Sequence, residues 1–188
     1  PSGSGKSTLL NQVGCLDRPD EGEVFIAGIE VAKMKNKARA SLRLKELGFV
    51  FQSYTLLPVL TARENAEFVL ELQGVDSATR KARVTGIFED LGILELAGRK
   101  PGAMSGGQQQ RVAVARAMAH NPALVLADEP TANLDSSTGQ SLLEMMRRIN
   151  QEHGVTFLIS SHDPMVIAGA RTLVKMKDGR IDEVIQQA

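Results

Sequence analysis

Met104-Ser105-Gly106-Gly107-Gln108 stands at the front of a predicted helix and sets the reading of the whole chain. Ser105 caps that helix, two glycines leave backbone N–H groups bare, and the helix dipole favours an anion at the same point. A serine-capped helix after a glycine-rich loop is common by itself. Its weight here comes from two companions: a phosphate loop at the start of the chain and the adjacent acids Asp128-Glu129 after an apolar run. Two phosphate-binding helix starts beside one pair of acids imply that the second start serves the nucleotide of another subunit.

Pro1-Ser2-Gly3-Ser4-Gly5-Lys6-Ser7-Thr8 matches G-x-x-x-x-G-K-[ST] except for the first glycine, whose position precedes residue 1. Gly3 and Gly5 let the backbone bend so that successive N–H groups, those of Ser2 and Ser4 among them, face phosphate oxygens. Those groups run into a helix N-terminus, whose dipole favours the same anion. Lys6 reaches the β- and γ-phosphates, the Ser7 hydroxyl ligates Mg²⁺, and Thr8 adds a contact on the α-phosphate side. A bland Gly/Ser linker would not continue into the apolar Leu9, Leu10 and Val13.

Leu124-Val125-Leu126-Ala127-Asp128-Glu129 is an apolar strand that ends in two carboxylates, at the sheet edge where such folds bind ligands. Asp128 is expected to hold Mg²⁺ through water, and Glu129 to polarise the water attacking the γ-phosphate. Taken alone, the same stretch would read as a buried strand and a solvated acidic turn.

Composition permits this chemistry and excludes others. The chain has 188 residues, of which 43% are hydrophobic and 23% charged, as in an ordinary globular domain. Twenty-two basic residues balance 22 acidic ones, leaving no net field for nucleic acid or an anionic membrane. Cys15 is the single cysteine, so no internal disulfide framework is possible, which fits a reducing compartment. No apolar run approaches the roughly 20 residues that span a bilayer. A chain that opens on proline reads as N-terminally truncated.

Strand and helix signals alternate, which predicts a mostly parallel sheet covered on both faces. A hairpin is expected over Glu23 to Val31, and a strand over Leu47 to Phe51 ending at Gln52. Thr61 and Glu64 have capping-box spacing for a helix reaching Leu72. Val84, Ile87, Phe88 and Leu91 mark one face of a second helix, which Gly92 ends. A strand over Ala123 to Ala127, a helix from Ser136 to Glu152 stopped near Gly154, and a strand over Val155 to Ser160 follow. Asp178-Gly179 turns between two terminal strands. Residues 1–52 and 108–188 then form a nucleotide-binding core, and 53–107 a helical insertion. His120 and His153 are expected only to cap helix ends.

Together these motifs resemble the ATP-binding cassette (ABC) family, over essentially the whole chain, with Met104 where leucine is usual and Ala132 where glycine is frequent. The resemblance implies a P-loop ATPase with ATP and Mg²⁺ as ligands. It places Gln52 against Mg²⁺ and the attacking water, and His162 on the γ-phosphate. It also implies that Ser105 to Gln108 bind the ATP of a second cassette packed head to tail. Asn133-Leu134-Asp135 matches the D-loop at that interface, which puts Asp135 among the nucleotide-binding residues. Family members begin with strands that precede the phosphate loop and carry an aromatic adenine-stacking residue. Tyr54, after Gln52, is not that residue.

Ala127 to Asp135, Gly48 to Gln52, Leu56-Leu57-Pro58 and Thr61 to Asn65 resemble the lipoprotein-release, macrolide-efflux and cell-division branch. That branch implies a membrane permease partner that docks near Tyr54 to Leu60, a place on the cytoplasmic face of the cell membrane, and no nucleic acid. The alternative is a soluble cassette acting in translation or DNA repair.

Overall fold

The computed structural model describes residues 3–187, so Pro1, Ser2 and Ala188 lie outside it. Helix α1 (Lys6–Val13) begins directly after Gly5, whose φ of +93° suits glycine and strains other residues. Strands β1 (Phe25–Ile26) and β2 (Ile29–Glu30) form the expected hairpin, antiparallel about Ala27-Gly28, both at positive φ. Helix α2 (Asn36–Glu46) was not foreseen. Leu42 is its one buried side chain, and cations dominate the rest, so it carries too weak an apolar stripe to be seen.

Strand β3 (Leu47–Val50) stops one residue short of the expected end, leaving Phe51 and Gln52 in the turn beyond it. Helix α3 (Ala62–Leu72) starts on the foreseen capping box: Glu64 N–H donates to Thr61 Oγ1 at 3.2 Å and Thr61 N–H to Glu64 Oε2 at 2.7 Å. Helix α4 (Ser77–Asp90) is capped by Asp76 and buries Val84 and Phe88, with Leu91 just past its end, as the apolar spacing predicts. Helix α5 (Gly106–Met118) follows Ser105. Then come β4 (Leu124–Asp128), α6 (Ser136–His153) ending on a left-handed Gly154, and β5 (Thr156–Ser160). A short helix α7 (Pro164–Ala168) leads to β6 (Thr172–Lys177) and β7 (Arg180–Gln186), an antiparallel pair about Asp178-Gly179.

The central sheet runs β3-β4-β5, all parallel, with Val125 of β4 opposite both Gly48 and Phe157. This register brings the carboxyl ends of the three strands, and hence Gln52, Glu129 and Ser161, to one edge. Helix α5 packs between β3 and helices α3 and α4; its Val112, Ala113, Val114 and Ala115 are completely buried. One hydrophobic cluster is continuous from Phe88 and Leu70 through α5 to Val125 and Leu142.

The loop between Gln52 and α3 is anchored from below. Asn65 is buried, accepts Leu57 N–H at 2.7 Å and donates to the carbonyls of Leu57, Leu60 and Thr61. Leu57 and Val59 are thereby held outward, 40% and 73% exposed. His120 departs from its expected role: it is buried, and its Nε2 meets the Leu47 carbonyl of β3 rather than the end of its own helix. His153 does close α6, beside Asp90 at 3.5 Å.

Candidate nucleotide site

The phosphate loop is shaped by two left-handed glycines, Gly3 at φ +79° and Gly5 at +93°. Ser4 between them is buried and accepts a hydrogen bond from Lys6 Nζ at 3.1 Å, while Ser7 and Thr8 are exposed at the helix start. The β6–β7 turn backs this loop, since Gly179 N–H donates to the Ser4 carbonyl at 3.1 Å. The sequence marked Gly179 only as a turn residue. Ser2 lies outside the described residues.

Asp128 ends β4 opposite Ser160 of β5, and the next amide, Glu129 N–H, still donates to the Ser160 carbonyl at 2.8 Å. Glu129 itself turns left-handed, at φ +45°, an arrangement that costs a non-glycine residue about 1–3 kcal/mol and clusters at functional sites. Its carboxylate is held on both oxygens. Ser161 Oγ donates to Oε2 at 2.9 Å, and His162 Nδ1 stands 2.7 Å from Oε1. The structure thus brings together Glu129 and His162, which the sequence reading treated separately, and adds Ser161.

Gln52 is exposed in the turn after β3, and its carbonyl accepts Asn133 Nδ2 at 2.9 Å. Beyond it Tyr54 and Thr55 are both left-handed, at φ +61° and +51°, and the Arg116 guanidinium of α5 donates to both their carbonyls. Burial lowers the Arg116 pKa from its ordinary value.

At the front of α5, Ser105 Oγ accepts Gln108 N–H at 3.3 Å and Gln108 Oε1 accepts Ser105 N–H at 2.9 Å. Gln108 therefore completes a capping box, a use of its side chain that the sequence reading missed. The two glycines answer a steric need as well. A side-chain carbon on Gly106 would meet the Tyr54 hydroxyl at 2.6 Å, and one on Gly107 the Thr138 methyl at 2.4 Å. Thr138 is in turn tied to Asp135, whose carboxylate accepts from Ser137 Oγ, Thr138 Oγ1 and Thr138 N–H. The Ser137 hydroxyl, then the hydroxyl and amide of Thr138, hold the Asp135 carboxyl well below the usual carboxylate range.

Gly106 and Gly107 thus have Tyr54, Asn133 and Thr138 as their close neighbours, not the phosphate loop. The glycine-rich starts of α1 and α5 are therefore separate, and the Asp128-Glu129 pair closes β4. The family described as "ABC transporter" matches residues 1–132.

The chain belongs to the ABC transporter family.

It is 47% identical, over 98% of its length and 78% of the relative's, to an ABC transporter ATP-binding protein of Thermotoga maritima. A second such protein, of Methanocaldococcus jannaschii, is 43% identical over 97% of this chain and 79% of its own. The macrolide export ATP-binding/permease protein MacB of Syntrophobacter fumaroxidans is 44% identical, but the chain spans only 26% of that longer protein. A dimeric ATP-binding cassette solved in a post-hydrolysis state with ADP and Pi superposes at a TM-score of 0.88. It has 40% identity and aligns with 99% of this chain and 82% of its own. The chain is accordingly an ABC ATPase, with the α/β P-loop architecture that the motifs predicted.

Mg²⁺ fits the residues at hand. Ser7, Gln52 and Asp128 offer hydroxyl, amide and carboxylate oxygens, the hard donors that Mg²⁺ takes together with phosphate oxygens and water. Among the described residues no cluster of three or more His, Cys, Asp and Glu side chains competes as a metal cage.

Proposed function

We propose that this chain hydrolyses ATP at two composite sites between two copies packed head to tail, and so drives a membrane permease of the lipoprotein-release or macrolide-efflux type. The observation that carries the reading is the second helix start. Ser105 to Gln108 are built to take an anion yet are packed against Asn133 and Thr138 of their own chain, so the phosphate they take belongs to a partner.

In this reading Gly3 to Thr8, with Ser2, cradle the phosphates of ATP, and Lys6 neutralises the β- and γ-oxygens. Ser7, Asp128 and Gln52 would hold Mg²⁺, which supplies charge neutralisation to the leaving phosphates. Glu129 takes the proton of the attacking water, and His162, its side chain 77% exposed, turns between Glu129 and the γ-phosphate. Asp135 keeps Thr138 and the front of the partner-facing helix in register. Residues 1–52 and 108–188 act as the nucleotide-binding core and 53–107 as a helical arm that carries the second phosphate site.

The permease contact is assigned to the loop from Tyr54 to Leu60. Asn65 fixes its backbone while Leu57 and Val59 stay in solvent, so an apolar helix can dock without unfolding anything. The loop is continuous with Gln52, so a change at the γ-phosphate reaches the docked segment through a few residues. No helix among the described residues is long and apolar enough to cross a membrane, and this assignment places the chain peripherally, at the cytoplasmic face.

Glu129→Gln tests the reading. With ATP it should cut turnover by orders of magnitude and trap a dimer visible by size-exclusion chromatography. Hydrolysis at the parental rate would remove Glu129 from the mechanism. Purification of the trapped form from gently solubilised cells should bring down a multi-span membrane protein; ribosomes or nucleic acid in its place would favour a soluble cassette.

A further inference from the structure

Glu129 is gripped asymmetrically: His162 is the nearer partner at 2.7 Å, but Ser161, at 2.9 Å, is the one that is itself anchored. The serine oxygen accepts Asp163 N–H at 3.1 Å, which leaves its single proton to be donated, and it lies 2.9 Å from Glu129 Oε2. Asp163 is fixed as well. One of its oxygens caps α7 by accepting Met165 N–H, and the other accepts the hydroxyl of Thr131, itself buried and two residues beyond Glu129. Glu129, Thr131, Asp163 and Ser161 thus close a ring that ties the turn after β4 to the turn after β5. His162, the donor to the other oxygen, has no such support and is mostly in solvent.

We propose that Ser161 is a positioning residue for ATP hydrolysis: its hydroxyl pins Glu129 Oε2, so that Oε1 is the oxygen presented to the attacking water once His162 turns away. The proposal rests on Glu129 acting as the base. When water attacks the γ-phosphorus, the phosphorus–oxygen bond to ADP breaks, the water's proton passes to Oε1, and the Ser161 hydrogen bond to Oε2 persists throughout. A carboxylate on a strained backbone and without that bond would sample rotamers in which neither oxygen is in line. The hydroxyl therefore acts on turnover, not on ATP binding.

The test compares Ser161→Ala, Ser161→Thr, Glu129→Gln and the Ser161→Ala/Glu129→Gln pair in the full chain, by phosphate release, with thermal melts alongside. Ser161→Ala should lower kcat about ten-fold, the scale of one lost hydrogen bond to a charged group, with KM for ATP within about two-fold. Ser161→Thr should restore most of that loss, since it keeps the hydroxyl. In the Glu129→Gln background the alanine should cost nothing further. Should the alanine variant not fold, Ser161→Cys, a weak donor of similar size, replaces it in every comparison. Parental kcat in the variant overturns the proposal, and so does an equal loss in both backgrounds or a loss confined to KM. If Glu129→Gln alone hydrolyses at the parental rate, the base assignment fails and this inference with it; a crippled Glu129→Gln beside an active Ser161→Ala sinks the inference alone.

Discussion

A side-chain carbon on Gly107 would stand 2.4 Å from the Cγ2 methyl of Thr138, which puts the backbone of α5 directly against α6. Thr138 cannot swing away freely, because Asp135 accepts from both its hydroxyl and its amide. The front of α5 and the start of α6 are therefore packed directly on one another.

Gly107→Ala should destabilise the chain by about 1–3 kcal/mol through this overlap. Adding Thr138→Ser removes the methyl but keeps the hydroxyl for Asp135, and should recover most of the lost melting temperature. If the double variant melts no higher than Gly107→Ala, the contact is not what excludes a side chain there.

Arg116 should govern the mobility of the segment around Gln52. Its guanidinium donates to two consecutive carbonyls whose residues are both left-handed, so it holds a strained turn closed. Arg116→Met keeps the aliphatic bulk and loses the donors. Amide hydrogen exchange over residues 52–57 is expected to rise, with a several-fold fall in ATP turnover. Unchanged protection of that segment would show that the turn holds itself.

Phe88 is the largest completely buried side chain of α4 and joins that helix to α5. Phe88→Ala should cost about 3–5 kcal/mol in chemical denaturation, because the close-packed helices can collapse only partly into the space. A loss under 1 kcal/mol would mean that α4 contributes little to the cooperative unit.

Stability should fall in acid in two windows. Burial holds the His120 pKa below its ordinary value, with the Leu47 carbonyl opposing in part. The unfolded chain then binds more protons than the folded one, so stability drops as pH falls below about 6.5 toward the lower folded value. His120→Gln, which retains a donor to Leu47, should flatten that slope in melts between pH 7 and 5. A second decline is expected below about pH 4. Hydroxyl and amide donors hold Asp135 below its usual range, the Thr79 donors do so for Asp76, and the Thr61 donors for Glu64. Stabilisation present above the unfolded carboxylate value is lost there as pH falls toward the folded ones. Identical pH profiles for the parent and His120→Gln would assign the first window to another group.

What the sequence by itself determined is local. The caps at Thr61 and Ser105, the stop at Gly154 and the bend of the phosphate loop are each made within a few residues, so residue type and spacing suffice to announce them. The apolar run of β4 announced a parallel core for a similar reason, since burial on both faces of this central strand leaves a continuous hydrophobic signature. Helix α2 escaped because packing at Leu42, not an apolar stripe, holds it. Tertiary structure alone decided the company that the site residues keep. Glu129 meets Ser161 and His162 only because Asp128 is in register with Ser160; Asn133 reaches Gln52 across 81 positions, and Arg116 reaches Tyr54 across 62. No residue type encodes those pairings. They follow from strand order and helix packing, which fix separations that chain spacing cannot express.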